Sequence, residues 1–154
     1  TLLKKYLPEL KNTPIGILGL AFKPNTDDVR KSKAIEIANI LLKEGARIKA
    51  HDPQAMKNFA RLFPDIEYVP ADEALETDAV LILTEWEQFN NLDYKGKIVI
   101  DGRGIPKAEE ARIYEGISWF SQNHVGTETA STTDITKARR DCDKANSRRV
   151  GQYV

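Results

Sequence analysis

Four short runs hold the residues whose types could act on a ligand. They are Phe22-Lys23-Pro24-Asn25-Thr26-Asp27-Asp28-Val29-Arg30, His51-Asp52-Pro53, Thr84-Glu85-Trp86 and Asp101-Gly102-Arg103. Lys23 and Arg30 can each pair with phosphate, the lysine as a point charge and the arginine through two parallel hydrogen bonds. The competing reading is a surface network with Asp27 and Asp28. Asp52 can accept from a ribose hydroxyl or cap the helix that follows it. Trp86 can stack on a base or cover the core, and composition favours the core. Arg103 can bind an anion or close a turn with Asp101. Three of the runs offer a cation or an aromatic ring, which together suit a phosphorylated, planar ligand.

What is missing narrows the chemistry further. Gly16 and Gly19 do not have the G-x-G-x-x-G spacing of a dinucleotide fingerprint. The two histidines, His51 and His124, lie far apart and make neither a metal-ligand spacing nor a triad. His51 reads as a partly exposed strand residue. Cys142, the only cysteine, sits in a polar stretch with no histidine or glycine-rich context, so no nucleophile and no metal site is expected. One cysteine cannot form an internal disulfide, and a reducing cytoplasm is the simpler location.

Each of the four runs follows a predicted strand. Short apolar stretches at 15–20, 47–50, 67–69, 79–83 and 97–100 read as strands, with 117–120 as a last one. Between them, 32–45, 54–63, 71–76 and 107–115 read as helices, and Gly45 is a natural stop for the first. The five apolar residues at 79–83 suit a strand covered on both faces. Strand and helix alternate, which predicts an α/β, Rossmann-like three-layer domain with a mostly parallel sheet. Ligands of such sheets bind beyond the carboxyl ends of the strands, where all four runs lie.

The chain divides into residues 1–13, a linker or the end of a connecting helix, a domain over 14–120, and a polar tail over 121–154. The tail reads as disordered or as a partner-binding arm, with Ile135, Ala138, Cys142 and Ala145 as a weak helical stripe. The 154 residues suffice for one core. Their formal net charge of zero makes nucleic acid and membrane surfaces poor whole-chain partners. No apolar stretch is long enough to span a bilayer, and the first residues do not form a signal peptide. The start at Thr1 rather than Met hints that the beginning of a longer protein is missing, although removal or trimming of the first residues also explains it.

The residues from Ile17 to Ser32, read through Phe22-Lys23-Pro24, resemble the signature of the UDP-binding domain of UDP-glucose/GDP-mannose dehydrogenases. Gly45-Ala46 leading to Asp52-Pro53, Leu83-Thr84-Glu85-Trp86, and Asp101-Gly102-Arg103 agree in order and spacing. The match runs over about residues 10–119, and Thr84-Glu85-Trp86 is closest to the UDP-glucose branch. The resemblance implies a UDP-sugar as ligand, contacted by Phe22, Lys23 and Arg103, with Glu85 and Trp86 in the pocket wall. It implies that Arg30 reaches the pyrophosphate of NAD across a domain cleft. It further implies that the NAD-binding and catalytic-cysteine parts lie outside this chain, and that the complete enzyme is a homodimer. On this reading the chain is a fragment of an oxidoreductase and inactive alone. The alternative is a stand-alone nucleotide-binding module. Three positions depart from the pattern: Gly104 replaces the usual Asn, and Lys31 and Lys33 replace the usual Glu and Pro.

Overall fold

The computed structural model describes residues 2–117 and 150–154. Six strands form: the buried runs β1 (Pro14–Leu18), β4 (Ala79–Ile82) and β5 (Ile98–Asp101), flanked by the less buried β2 (Arg47–His51), β3 (Glu67–Tyr68) and β6 (Ile113–Gly116). They form one sheet in the order β3-β2-β1-β4-β5-β6, with every neighbouring pair parallel. The helices are α1 (Leu2–Tyr6), α2 (Lys33–Lys43), α3 (Met56–Leu62), α4 (Ala71–Leu75) and α5 (Val150–Tyr153), with 3-10 turns at Glu87–Asn91 and Pro106–Glu110.

Successive side chains of a strand point to opposite faces, and the two faces carry separate cores. Ile15, Ile17, Leu81 and Ile100 pack with Leu3 of α1, Ile37 and Leu41 of α2, Phe59 of α3, and Val150 and Tyr153 of α5. Leu18, Val80, Ile82 and Val99 pack on the other side with Ala74 of α4, Phe89 and Ala108. The result is the expected three-layer α/β domain, parallel throughout.

Local sequence explains the boundaries that position the site. Ser32 caps α2: its backbone is extended and its hydroxyl accepts from the Ala34 N–H at 3.2 Å. β1 ends at Leu18 because Gly19 turns into the left-handed region at φ 97°. A side chain at Gly19 would also place its Cβ 2.5 Å from that of Thr84.

The expected helix over 107–115 is not formed. Pro106–Glu110 makes a 3-10 turn, Ala111 is extended, and Ile113–Gly116 joins the sheet edge as β6. The final strand therefore comes before 117–120, of which 118–120 lie outside the described residues. Cys142 and the stripe from Ile135 to Ala145 lie outside them as well. Of the polar tail, Val150–Val154 is described. Val150, Tyr153 and Val154 are buried, and Val150–Tyr153 is helical. No helix among the described residues is long and apolar enough to cross a membrane.

Candidate functional site

Strand order reverses between β1 and β4, and a ligand crevice is expected beyond their carboxyl ends. A cavity of about 630 Å³ lies there, lined by Phe22, Lys23, Lys31, Lys33, Glu36, Leu83, Glu85, Arg103 and Val150, among others. Four cationic side chains face two carboxylates, so the cavity favours an anion.

Each wall is held by identifiable bonds. Thr84 is buried and its hydroxyl donates to the Ala21 carbonyl at 2.7 Å, which fastens the loop after β1 to the loop after β4. The first loop closes on itself through the Phe22 N–H, which donates to the Asp28 carbonyl at 3.1 Å. Phe22 is half-buried, and the exposed Lys23 ammonium stands 5.2 Å from the centre of its ring. Arg103 donates from Nε to the Leu83 carbonyl at 2.9 Å and lies 3.3 Å from Glu85 Oε2. Its side chain is 24% exposed, which leaves part of the guanidinium for a ligand.

Phe22, Lys23, Glu85 and Arg103 are thus brought together, whereas Trp86 and Arg30 are not on this wall. Trp86 is buried behind it, and its indole N–H donates to Asp52 Oδ2 at 3.1 Å. Arg30 points outward, its side chain 87% exposed, and pairs with Asp28 at 2.8 Å. This pair is half of the surface network weighed above, since Lys23 makes no ion pair with Asp27 or Asp28. Hydrogen bonds from Arg30 hold the Asp28 carboxyl below its ordinary pKa, and Asp28 in turn raises that of Arg30. Arg30 lines a separate, shallower hollow with Asp27, Asn58 and Arg61.

Two buried carboxylates organise the loops. Asp52 Oδ2 accepts from the Leu20 and Ala21 N–H groups at 2.8 and 3.0 Å, besides Trp86. Its Oδ1 accepts from Gln54 and Ala55, both at 2.8 Å, at the entry to α3. Asp52 is therefore committed to the protein, and its ribose-binding alternative is not supported. Asp101 Oδ1 accepts from the N–H groups of Arg103 and Gly104, and Oδ2 from Ile105 and the Tyr114 hydroxyl. Arg103 meets Asp101 through its backbone, while its guanidinium is directed to Leu83 and Glu85. Burial pushes the Asp101 carboxyl above its ordinary pKa, against the pull of those backbone donors. His51 is half-buried, with Nδ1 2.8 Å from the Val69 carbonyl, as a strand residue would be.

Sequence reasoning missed the structural part of Thr84 and the lining role of Lys33, Glu36 and Val150. The hydroxyl of Thr84, buried among apolar neighbours and needing a partner, was a usable signal for the first. Val150, remote in sequence, offered none.

A parallel α/β domain with an anion-favouring crevice at its switch point is a nucleotide-binding class of architecture. Residues 16–108 match the UDP-glucose/GDP-mannose dehydrogenase family, UDP binding domain. The chain is 42% identical over 116 residues to UDP-glucose 6-dehydrogenase AglM of Haloferax volcanii, covering 71% of this chain and 27% of that one. A solved UDP-glucose dehydrogenase from the archaeon Pyrobaculum islandicum superposes with a TM-score of 0.73 at 48% identity, covering 77% of this chain and 28% of that one. The UDP-D-ManNAc dehydrogenase of Pyrococcus horikoshii gives 0.59 at 26% identity, covering 75% and 29%. The chain belongs to the UDP-glucose/GDP-mannose dehydrogenase family, as its UDP binding domain. It spans about a quarter of the length of these relatives.

Proposed function

We propose that the cavity binds the UDP part of a nucleotide sugar and that this domain completes the active site of an NAD-dependent UDP-glucose 6-dehydrogenase. The observation that carries the reading is the convergence of Phe22, Lys23 and Arg103 on one crevice with an excess of positive charge. Lys23 and Arg103 supply charge for the diphosphate, Phe22 an aromatic surface, and Glu85 orients Arg103. Trp86 supports the wall from behind.

In this reading the domain over 14–120 holds the substrate, while NAD and the catalytic cysteine belong to a separate part of the enzyme. The domain contributes binding energy that places the sugar C6 for oxidation there. Arg30, exposed and outside the crevice, is the residue that meets NAD on that partner domain in this reading. The complete enzyme is a cytoplasmic homodimer, and the isolated domain is without dehydrogenase activity.

Calorimetric titration with UDP, and with NAD as comparison, tests the assignment. We expect binding of UDP and none of NAD. Lys23→Ala and Arg103→Ala should each weaken UDP, and Arg103→Ala about tenfold, as expected for loss of a charge-assisted contact. Unchanged affinity in both variants would refute the pocket.

A further inference from the structure

The helix α5 adds a wall that lies outside the residues matching the family, and it meets the site at two points. Val150 lines the cavity. Tyr153, 2% exposed, lies against Gly102, between the carboxylate of Asp101 and the guanidine of Arg103 in sequence. A Cβ placed on Gly102 would overlap the Tyr153 hydroxyl and stand 2.8 Å from Cζ and 3.1 Å from Cε1. These are the three atoms such a Cβ would meet first. Gly102 is not in the left-handed region, so a positive φ does not account for the glycine. The nearest obstacle to a side chain there is Tyr153.

α5 does not plug the crevice, since the 630 Å³ remain with the helix in place. Val150, Tyr153 and Val154 continue the core formed by α1 and α2. A docked tyrosine that fits only above a glycine restricts the turn beneath it, and that turn carries Arg103.

We propose that Tyr153 is a positioning residue, which fixes the Asp101–Gly102–Arg103 turn so that Arg103 faces the UDP diphosphate. This rests on the UDP reading above. The charges around the phenol agree with its placement: burial pushes its pKa up to about 12, Arg103 acts to lower it and Asp101 to raise it.

A double-mutant cycle in the full chain tests the proposal. Gly102→Ala, Tyr153→Ala and the pair would be compared for UDP affinity and for melting midpoint, with Tyr153→Phe as the conservative variant. Either single change should weaken UDP about tenfold. The pair should bind no worse than Tyr153→Ala alone, because the alanine at 102 then has room. With Tyr153→Phe, which keeps Cζ in place, the relief should be partial. Additive losses, or a neutral Gly102→Ala, would overturn the docking. A Tyr153→Ala protein that melts earlier yet binds UDP normally would reduce α5 to a core element and overturn the positioning role. Failure of the unmodified chain to bind UDP would remove the nucleotide reading and the positioning role with it. The melting midpoints of the cycle would still decide whether Tyr153 docks on Gly102.

Discussion

Asp52 and Asp101 stand at the carboxyl ends of β2 and β5, on either side of the central β1 and β4, both fully buried, and their partners differ in kind. Asp52 collects five N–H donors from three separate segments, at positions 20 and 21, 54 and 55, and 86. The backbone donors of Asp101 are its own neighbours at 103, 104 and 105, joined by the Tyr114 hydroxyl from β6. One carboxylate ties distant loops into a wall. The other shapes a single turn and so aims one arginine. The same residue type, at equivalent places, serves architecture on one side of the crevice and aim on the other.

The contrast can be broken at its strongest point first. Asp52→Asn puts an amide NH₂ against N–H donors that have no other acceptor. We expect a loss of about 3 kcal/mol, the scale of several buried donors left unpaired, measured by urea denaturation. A loss below about 1 kcal/mol would show that the loops do not depend on this residue.

Asp101→Asn comes next, at about 2 kcal/mol, because its turn can find water more readily. It should also weaken UDP binding, which Asp52→Asn does only by loosening the whole domain. The pH profile sharpens the distinction. The Asp101 carboxyl has its pKa raised above the ordinary 3.8 in the folded protein. The folded state therefore holds this proton more tightly than the unfolded chain. The proton-linked part of its contribution, added to that of its hydrogen bonds, is fully present below 3.8 and is lost as pH rises through the folded value. The difference in stability between the wild-type protein and Asp101→Asn should follow that course. A difference independent of pH would contradict it.

The smallest effect is expected at Arg30. Its pair with Asp28 is solvent-exposed, and such pairs contribute little. Arg30→Ala should leave the melting midpoint and UDP affinity of this chain unchanged. A marked fall in UDP affinity would move Arg30 into the crevice and redraw the boundary between the two hollows.

Much of this arrangement was legible in the residues. The apolar run at 79–83 announced β4, Gly45 ended α2, and the Phe22-Lys23-Pro24 loop pointed to the crevice. Those signals are local, and the local energetics agree with the tertiary fold there. Where they failed, a distant contact decided. Residues 107–115 have helical spacing of alanines, but Ile113 and Tyr114 find a strand position beside β5, and Tyr114 finds Asp101. For Trp86 composition pointed to the core, where it is buried, and only the resemblance put it in the pocket wall; its bond to Asp52, 34 positions away, was in neither reading. α5 depends on a glycine far earlier in the chain, and no pattern within a window of sequence contains both.

The reach of Asp52 has a consequence in time. Its donors span positions 20 to 86, so the loops around the crevice cannot settle until those segments have met. Parallel sheets with such distant pairings fold slowly. At synthesis rates of ~5–20 residues per second, several seconds separate the emergence of Phe22 from that of Arg103. The crevice is complete only when all of these segments are in place, so its ligand would bind and stabilise only chains that have completed the sheet.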